Sequence, residues 1–528
     1  MTRTRRAATI AAFAYSQYAL AIVTGIFLVP LTLHTLGART WGLWLASSEV
    51  LSYAGMVDLG ILGVLPWMLA AADGRRDRAE LRTLVSQGLW LGSGVGVVYA
   101  VVAVTAWHVL SPRLFLTEAD RALVARPLMI LVASTALSYP IAVYKAVIVG
   151  LQDAFFNGVL AIVQGVVAVV VTAWLLLSGH GVYALVWAAV VPSVLGIVAS
   201  AVRAAMIAPD LVFAVSRPRF RELRGLFVNG FGTWLGNLGW QLLAASNGIV
   251  ITYMGHPEWV PVYSCTAKVA AMCMPLAWVL PDSGHIGLAQ LSGERHSGAR
   301  VRTVVLMMQR LHLLIAGVMA CGLLVFNPAF VTRWVGAALF GGVALNALLA
   351  AGVVLHSFVH GLVSSASIIG NRAKVGVLVL VNGVLQTMLA IVLGHRLGLI
   401  GIAWASLAAT AITALPGGIA LLRRSASLTA RGLMSEAIVP WAARALPLLA
   451  IAGVLGVFYQ TIGLWMSAIA AAFVCLAYGW QMRPLYAAAL PLNARWTNWL
   501  VRSKVLPPPL SPAPLAAAGP GLDTPPIL

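Results

Sequence analysis

Long apolar runs separated by short polar loops dominate this chain. Fourteen of these runs are each long enough to cross a bilayer, which takes about 20 residues in a helix. Their continuous hydrophobicity favours helices over a barrel, whose strands alternate over about ten residues. The sequence therefore predicts an all-α polytopic membrane protein with about 14 transmembrane helices. The predicted spans are 9–36, 41–70, 84–110, 123–150, 155–178, 181–206, 224–254, 259–291, 302–326, 340–369, 374–395, 398–422, 437–459 and 461–482.

Three short motifs occur twice, in the same order and about 218 residues apart. This indicates that a unit of six helices has been duplicated. Because six is even, both copies enter the bilayer from the same side, as parallel repeats do. Duplicated membrane units of this kind are typical of two-lobed transporters. The motif pairs are LGARTWGLW at 36–44 with MGHPEWVPVY at 254–263, VGLQDA at 149–154 with IGNRAK at 369–374, and GVYALVWA at 181–188 with GLIGIAWA at 398–405.

The duplication divides the chain into two lobes and an extension. Residues 1–206 form an N-lobe of helices 1–6, and 224–422 form a C-lobe of helices 7–12. A cytoplasmic linker at 207–223, with several basic residues and prolines, joins them. Residues 423–482 carry helices 13 and 14, and 483–528 form a cytoplasmic tail. Its proline-rich end, from about residue 507, is predicted to be disordered because it has little to pack.

Composition and charge support this class of protein and orient it. Hydrophobic residues make up 61% of the chain and charged residues 9%, against about 25% charged residues in a soluble domain. The net charge of +19 comes from basic residues in short loops, which is the positive-inside pattern and predicts no nucleic-acid partner. With the N-terminus in the cytoplasm, 25 of the 34 lysines and arginines lie on that side and six on the other. Both termini are therefore predicted to be cytoplasmic.

Motifs near the start of the chain point to a family. They are FLVPL at 27–31, LGARTWGLW at 36–44 and MVDLGI at 56–61, followed by GLQ at 150–152 and Asn157. This opening resembles that of bacterial polysaccharide flippases of the multidrug/oligosaccharidyl-lipid/polysaccharide exporter superfamily. The resemblance, including the six-plus-six duplication and two extra helices, covers about residues 10–482. It implies an inner-membrane protein that moves undecaprenyl-pyrophosphate-linked oligosaccharide from the cytoplasmic to the periplasmic leaflet.

Ionisable residues inside membrane spans are costly and indicate function. Glu49 in the second span and Lys268 in the eighth occupy corresponding positions of the two copies. If these helices flank the pseudo-two-fold axis, the two side chains face each other across the cavity. We hypothesise that they pair when the periplasmic gate is closed and separate when it opens. The alternatives are a fixed buried ion pair and two unrelated polar contacts.

Other residues are candidates for the cavity or the gate. Lys268, with Arg39 near the periplasmic mouth, could attract the anionic pyrophosphate, and the preferred alternative for Arg39 is an ordinary loop arginine. Asp58 matches the family's opening motif, and it either stabilises a helix break near two flanking glycines or takes part in ion coupling. Gln17 of the first span and Asn237 and Gln241 of the seventh provide polar groups for a wet cavity lining. Asn237 and Gln241 share a helix face, and interhelical hydrogen bonding is the alternative for all three.

The sequence predicts neither a catalytic site nor a cofactor. His356 and His360 are four residues apart, but no third metal ligand is evident, so cavity lining or packing is preferred over a metal site. The four cysteines lack metal-ligand spacing and are expected to pack in the apolar interior. No nucleophile elbow, phosphate loop or zinc signature occurs. The chain is therefore predicted not to be an enzyme.

The sequence-based conclusion is a flippase for lipid-linked saccharides that works by alternating access for the export of surface polysaccharide. Its expected partners are the lipid-linked saccharide and membrane lipids, with a monomeric transport unit that assembly proteins could accompany. One alternative is a drug/cation antiporter of the same superfamily, for which twelve helices and dedicated carboxylates are expected. The other is an integral-membrane glycan polymerase or acyltransferase, which would need a large periplasmic loop or a clustered polar site.

Overall fold

The computed structural model describes residues 3–58, 61–114, 117–151, 153–212, 220–282, 284–285, 288, 291 and 298–485. Throughout these ranges the secondary structure is helical and no strand occurs, which confirms the predicted all-α class. Twelve helices in this part of the chain are long and apolar enough to cross a membrane. Large apolar side chains on their outer faces, such as Trp465, Phe473 and Leu476, are exposed. The protein is therefore a multi-pass membrane protein.

We call residues 3–212 the first lobe. It begins with a long helix that is interrupted once and ends with a short helix. The elements are α1 (Arg3–Ala54), a 3₁₀ turn (Gly55–Asp58), α2 (Ile61–Gly74), α3 (Arg78–Leu114), α4 (Glu118–Gly150), α5 (Ala154–Leu177), α6 (Tyr183–Ile207) and α7 (Pro209–Val212).

We call residues 220–426 the second lobe, and residues 430–485 the C-terminal extension. The second lobe contains α8 (Phe220–Ala245), α9 (Asn247–Tyr253), α10 (Trp259–Asp282), α11 (Gly298–Val335), a 3₁₀ turn (Ala337–Leu339), α12 (Val343–Ile369), α13 (Arg372–Leu397), α14 (Leu399–Ala409), a π turn (Thr410–Ala414) and α15 (Leu415–Ala426). The extension contains α16 (Ala430–Leu433), a π turn (Met434–Ile438), α17 (Val439–Val457) and α18 (Tyr459–Gln481).

Eleven of the fourteen predicted spans each correspond to one of the twelve candidate helices of the described residues, and the first, second and seventh differ. The apolar stretch Ala19–Asp58 covers most of the first predicted span and much of the second, and Gly37 divides them with a positive φ of 76°. The second predicted span is not one helix, because the 3₁₀ turn interrupts it before α2. The seventh is likewise divided into α8 and α9. Residues 213–219 of the predicted linker and the predicted disordered tail lie outside the described residues.

Two pairs of glycines with positive φ lie in corresponding motifs of the two lobes. Gly37 and Gly255 have φ values of 76° and 88°, and Gly181 and Gly398 have φ values of 59° and 61°. A positive φ is disfavoured for residues with a Cβ, so glycine is the natural choice where each helix must break. The equivalent breaks agree with the duplication that the motifs predict.

Each lobe has its own apolar cores, and a smaller core joins Trp41 of the first lobe to Cys265 and Val331 of the second. In the first lobe, one core includes Leu43, Tyr99 and Leu128, and a second includes Leu69 and Leu81. A larger core joins α10–α13 and α15 of the second lobe to the extension, where Tyr478 of α18 is fully buried. The Tyr478 hydroxyl donates to the backbone carbonyl of Leu313 at 3.3 Å. The extension is therefore part of the second lobe's packing.

Candidate functional site

The second lobe encloses a cavity of about 710 Å³ between α8, α10, α12, α13 and α14. Its walls are mainly apolar, and the aromatic rings of Trp240 and Trp278 lie on them with centroids 6.0 Å apart. Met56 of the first lobe also lines this cavity. A pocket with apolar and aromatic walls and a few polar groups is the usual form of a site for an organic ligand.

Polar side chains from several helices converge on this cavity. Asn237 and Gln241 of α8 line it, together with His356 and His360 of α12. More amide and hydroxyl groups come from neighbouring helices, namely Asn247, Tyr263, Asn382, Gln386, Ser406 and Thr410. The sequence predicted the α8 positions, whereas those on α13 and α14 were missed because single polar residues in apolar helices carry no sequence signal of their own.

Glu49 does not contact Lys268 in this structure. Its carboxylate lies at the N-terminus of α9, where it accepts a hydrogen bond from the backbone N–H of Ile249 at 2.9 Å. A carboxylate is favoured at this position because the first backbone N–H groups of a helix have no partner within it. A Cβ at Gly248 would lie only 2.6 Å and 2.7 Å from the two carboxylate oxygens. Glycine at 248 therefore allows this contact between the lobes.

Lys268 makes the reciprocal contact. Its Cε would lie 3.4 Å from a Cβ at Gly25 of α1, so the half-buried lysine reaches from the second lobe to the first. Within the described residues, no carboxylate lies within ion-pair distance of its ammonium group. Gly25 and Gly248 are separated by almost the same number of residues as Glu49 and Lys268. The two charged residues thus occupy related positions, but each contacts a glycine of the opposite lobe.

Arg39 connects the lobes at the end of the molecule that contains the Gly37 break. Its guanidinium is 2.7 Å from Asp120 of the same lobe and 3.8 Å from Glu258 of the second lobe. Close by, a Cβ at Gly42 would lie 2.0 Å from the backbone oxygen of Pro257. We call this group of residues (Arg39, Gly42, Pro257 and Glu258) the 39–258 contact.

Further contacts between the lobes lie deeper along α1 and its 3₁₀ turn. The Tyr53 hydroxyl donates to the backbone oxygen of Gln241 at 3.3 Å, and the Trp234 indole N–H donates to that of Met56 at 2.6 Å. Trp334 makes a similar bond to the Ile26 carbonyl at 2.6 Å. The lobes are therefore joined by side-chain-to-backbone hydrogen bonds.

Two further predicted residues lie away from the cavity wall. Asp58 ends the 3₁₀ turn that interrupts the second predicted span, and the Tyr139 hydroxyl donates to the Gly55 carbonyl at the start of this turn at 3.2 Å. Gln17 is exposed on α1. A helix break thus exists at Asp58, as one of its two suggested roles requires.

A polar cluster that the sequence did not predict lies beside the cavity. His360 Nε2 is 3.0 Å from Asp282 Oδ2, and His312 Nε2 is 3.6 Å from Asp282 Oδ1. The sequence argument paired His360 with His356, but the structure places His356 against Ser406 instead, with a distance of 3.2 Å from Nε2 to the hydroxyl. Asp282 and His312 belong to different helices, so their proximity to His360 depends on the fold.

Comparisons with known proteins identify the fold. No family model matches the sequence, and no curated protein matches it. The fold is similar to that of an inward-facing multidrug resistance MATE family transporter of the MOP superfamily, with a TM-score of 0.66 at 18% identity over 78% of this chain and 95% of the other. An outward-facing transporter of that family gives a TM-score of 0.53 at 17% identity, over 80% of this chain and 94% of the other. The lipid II flippase MurJ, in an inward closed conformation, gives a TM-score of 0.57 at 12% identity, over 94% of this chain and 99% of the other.

Proposed function

We propose that this protein flips undecaprenyl-pyrophosphate-linked oligosaccharide across the inner membrane for the export of surface polysaccharide. The observation that carries the proposal is the extent of the structural match to MurJ. That flippase aligns with 94% of this chain, whereas the MATE transporters align with 78–80%. The motifs near residues 27–61 support the same function.

The cavity offers suitable chemistry for a glycan headgroup. Trp240 and Trp278 present flat apolar surfaces, and Asn237 and Gln241 offer hydrogen-bond donors and acceptors to hydroxyl groups. A wall with few charged groups suits an uncharged sugar, and amides on several helices can bind different sugars by exchanging bonds with water. In this proposal the lipid tail stays in the bilayer while the headgroup occupies the cavity.

Lys268 is the proposed contact for the pyrophosphate. It lies on α10 next to Ala267, which lines the cavity, and its stem reaches Gly25 of the first lobe. A cation at a boundary between lobes can bind phosphate oxygens through charge-assisted hydrogen bonds. Because the contact with Gly25 requires the lobes to be together, a phosphate that binds Lys268 would influence their separation.

The proposed cycle is alternating access by movement of the two lobes. The 39–258 contact and the Glu49 contact with α9 close the lobes at one end. The higher TM-score with the inward-facing transporter than with the outward-facing one, 0.66 against 0.53, supports a state that opens at the other end. With the proposed cytoplasmic termini, the 39–258 contact faces the periplasm and forms the periplasmic gate.

The test uses membranes in which this chain is the only flippase. Depletion is expected to leave lipid-linked oligosaccharide in the cytoplasmic leaflet, where an added glycosidase in inside-out vesicles can cleave it. Asn237→Ala with Gln241→Ala is expected to reproduce much of the defect. Gln460→Ala is the matched control, because this amide is exposed on α18 and bonds to Tyr459. Unchanged leaflet distribution and intact surface polysaccharide on depletion would contradict the proposal.

A drug antiporter is the second candidate, and the TM-score of 0.66 with a multidrug transporter is the observation that favours it. The mainly apolar cavity wall also suits hydrophobic organic cations. This function predicts that depletion increases sensitivity to such compounds without changing the leaflet distribution of lipid-linked saccharide. The two measurements on one depletion strain therefore distinguish the candidates.

The remaining proposals concern the setting of the transporter. We place it in the inner membrane as a monomer with cytoplasmic termini, beside polysaccharide assembly proteins and without enzymatic activity. Cysteine substitutions at the exposed residues Arg75 and His180 test the orientation with an impermeant thiol reagent in intact spheroplasts. The cysteine that replaces His180 is expected to be labelled from the periplasm, and the cysteine that replaces Arg75 only after lysis. The opposite pattern would refute the orientation.

A further inference from the structure

The cluster at the end of α10 contains the donor set of a transition-metal site. Asp282 ends α10, His312 lies in α11 and His360 lies in α12. One nitrogen from each histidine and one carboxylate oxygen lie within 4.8 Å of one another. His285 adds a fourth donor, with its Nε2 3.5 Å from Asp282 Oδ1. Imidazole with carboxylate is a common ligand combination for zinc.

The orientation of the His312 ring leaves one nitrogen without a partner in this cluster. His312 is completely buried, and its Nδ1 lies 2.9 Å from the backbone oxygen of Met308, so Nδ1 carries a proton and donates it. The other ring nitrogen, Nε2, lies 3.6 Å from Asp282 Oδ1. Neither of these two buried atoms has a hydrogen-bond partner. A bound cation would give both atoms a partner.

The surroundings of His312 match those of a metal ligand. Metal-binding histidines usually donate their second ring N–H to a carbonyl or carboxylate, which fixes the tautomer and the ring orientation. The Met308 carbonyl already has this role. Gly361 provides the necessary space, because a Cβ there would lie 2.7 Å from His312 Nδ1. The ring is therefore held in one position with its free nitrogen directed into the cluster.

The distances between the donor atoms also fit. In a tetrahedral zinc site with bonds of about 2.0–2.2 Å, adjacent ligand atoms are about 3.3–3.5 Å apart. The observed separations from the carboxylate oxygens to the three histidine nitrogens are 3.0, 3.5 and 3.6 Å. Because the donor atoms of Asp282, His312 and His360 all lie within 4.8 Å of one another, side-chain movements of about 1 Å bring them to the spacing of zinc ligands. The His360 ring is fixed by parallel stacking on Trp278, with centroids 4.0 Å apart.

We propose that Asp282, His312 and His360 bind a divalent transition-metal ion of the zinc class, with His285 placed to provide a fourth ligand. The ion joins α10, α11 and α12 within the second lobe. It lies at the cavity wall, because Trp278 and His360 both line the cavity. The site belongs to one lobe, so it does not depend on the flippase proposal.

The experiment measures zinc binding to the purified full-length protein without a histidine tag. After treatment with a chelator, the wild type is expected to bind one zinc ion per chain in titration calorimetry and in metal analysis. Asp282→Asn and His360→Gln are each expected to weaken binding at least about 100-fold, because each removes a direct ligand. Binding of Co²⁺ is expected to give the visible absorption of a low-coordinate site, and the two variants are expected to lose it.

His356→Gln is the matched control. His356 lies on the same helix and lines the same cavity as His360, but it is outside the cluster. Its variant is expected to bind zinc like the wild type. Thermal melts in chelator show whether each variant is folded, and zinc is expected to raise the melting temperature of the wild type and His356→Gln but not of Asp282→Asn. If folded wild type binds no more zinc than Asp282→Asn, or if His356→Gln loses binding equally, the site does not exist.

Discussion

Replacement of Gly42 by alanine is predicted to open the 39–258 contact. Gly42 lies on α1 against Pro257 of the second lobe, and the new Cβ would be 2.0 Å from the Pro257 oxygen and 2.9 Å from its carbonyl carbon. Cβ contacts below 3.0 Å are essentially never observed, so the two backbones must move apart by at least 1.0 Å. Both are backbone atoms, so no side-chain rotation can relieve the overlap.

This overlap raises the free energy of the state in which the lobes are joined, but not that of the separated state. Overpacking of a close contact costs about 1–3 kcal/mol. Once the lobes separate, Gly42 no longer faces Pro257, and the cost disappears. A difference of this size shifts the equilibrium between the two states by about 5- to 150-fold. The variant is therefore predicted to favour separation at this end.

Spin labels on the two lobes measure the shift. Leu177 ends α5 and Leu397 ends α13, and their exposed fractions of 73% and 52% indicate that labels there leave the core intact. In a background without the native cysteines, double electron–electron resonance is expected to show a longer distance population in Gly42→Ala than in the wild type.

Gly25→Ala is the matched control on the same helix. It also lies at the lobe boundary, but its Cβ would be 3.4 Å and 3.6 Å from the side chains of Lys268 and Met272, which are ordinary contacts. Alanine is favoured over glycine within a helix by about 0.5–1 kcal/mol, so this variant is expected to be neutral or slightly more stable. An unchanged distance distribution in folded Gly42→Ala, or an equal change in Gly25→Ala, would refute the reasoning.

Three further predictions follow from single contacts. Glu258→Gln removes the ion pair with Arg39, and half-exposed ion pairs contribute about 0–1 kcal/mol. It is therefore expected to increase the population with a long distance between the spin labels less than fivefold, and a larger effect would mean that this pair controls the gate. Gly248→Ala is expected to displace Glu49 and destabilise the protein by about 1.5–3 kcal/mol, the usual value of a charged hydrogen bond, and an unchanged melt would contradict this. Trp441→Phe removes the donor to the buried Tyr478 hydroxyl at 2.7 Å; chemical denaturation is expected to show a loss of about 1–3 kcal/mol, and a loss below 0.5 kcal/mol would contradict it.

The sequence predicted the helices better than their interruptions. Apolar length is a local property, so spans such as 302–326 and 374–395 correspond to α11 and α13. The division at Ser246 lies within the seventh predicted span and was not predicted, whereas a break near Asp58 was one of the two roles suggested for that residue and occurs at Gly55–Asp58. Whether a helix continues there depends on tertiary partners such as the Tyr139 hydroxyl, which bonds to the Gly55 carbonyl.

The candidate sites differ in how far sequence could reveal them. Asn237 and Gln241 share one helix face, so their spacing predicted a common surface. The cluster of Asp282, His312 and His360 brings together three helices with different positions in the sequence. No spacing rule covers such a set, since the three residues come from three separate predicted spans. Only the packing of α10, α11 and α12 shows that they meet.

The duplication that the sequence predicts accounts for the related positions of Glu49 and Lys268, which do not form a pair. Under a pseudo-two-fold axis, a contact from α1 to α9 implies a related contact from α10 to α1, and both are present. The two contacts differ in how close the side chain comes to the glycine. A Cβ at Gly248 would lie 2.6 Å and 2.7 Å from the Glu49 oxygens, whereas a Cβ at Gly25 would lie 3.4 Å from Lys268 Cε. Glu49 also caps α9 with a hydrogen bond, which fixes its position, while the ammonium of Lys268 has no described carboxylate within ion-pair distance. The two lobes therefore hold one fixed carboxyl group and one available cation, and the cation is the group that the proposed anionic substrate requires.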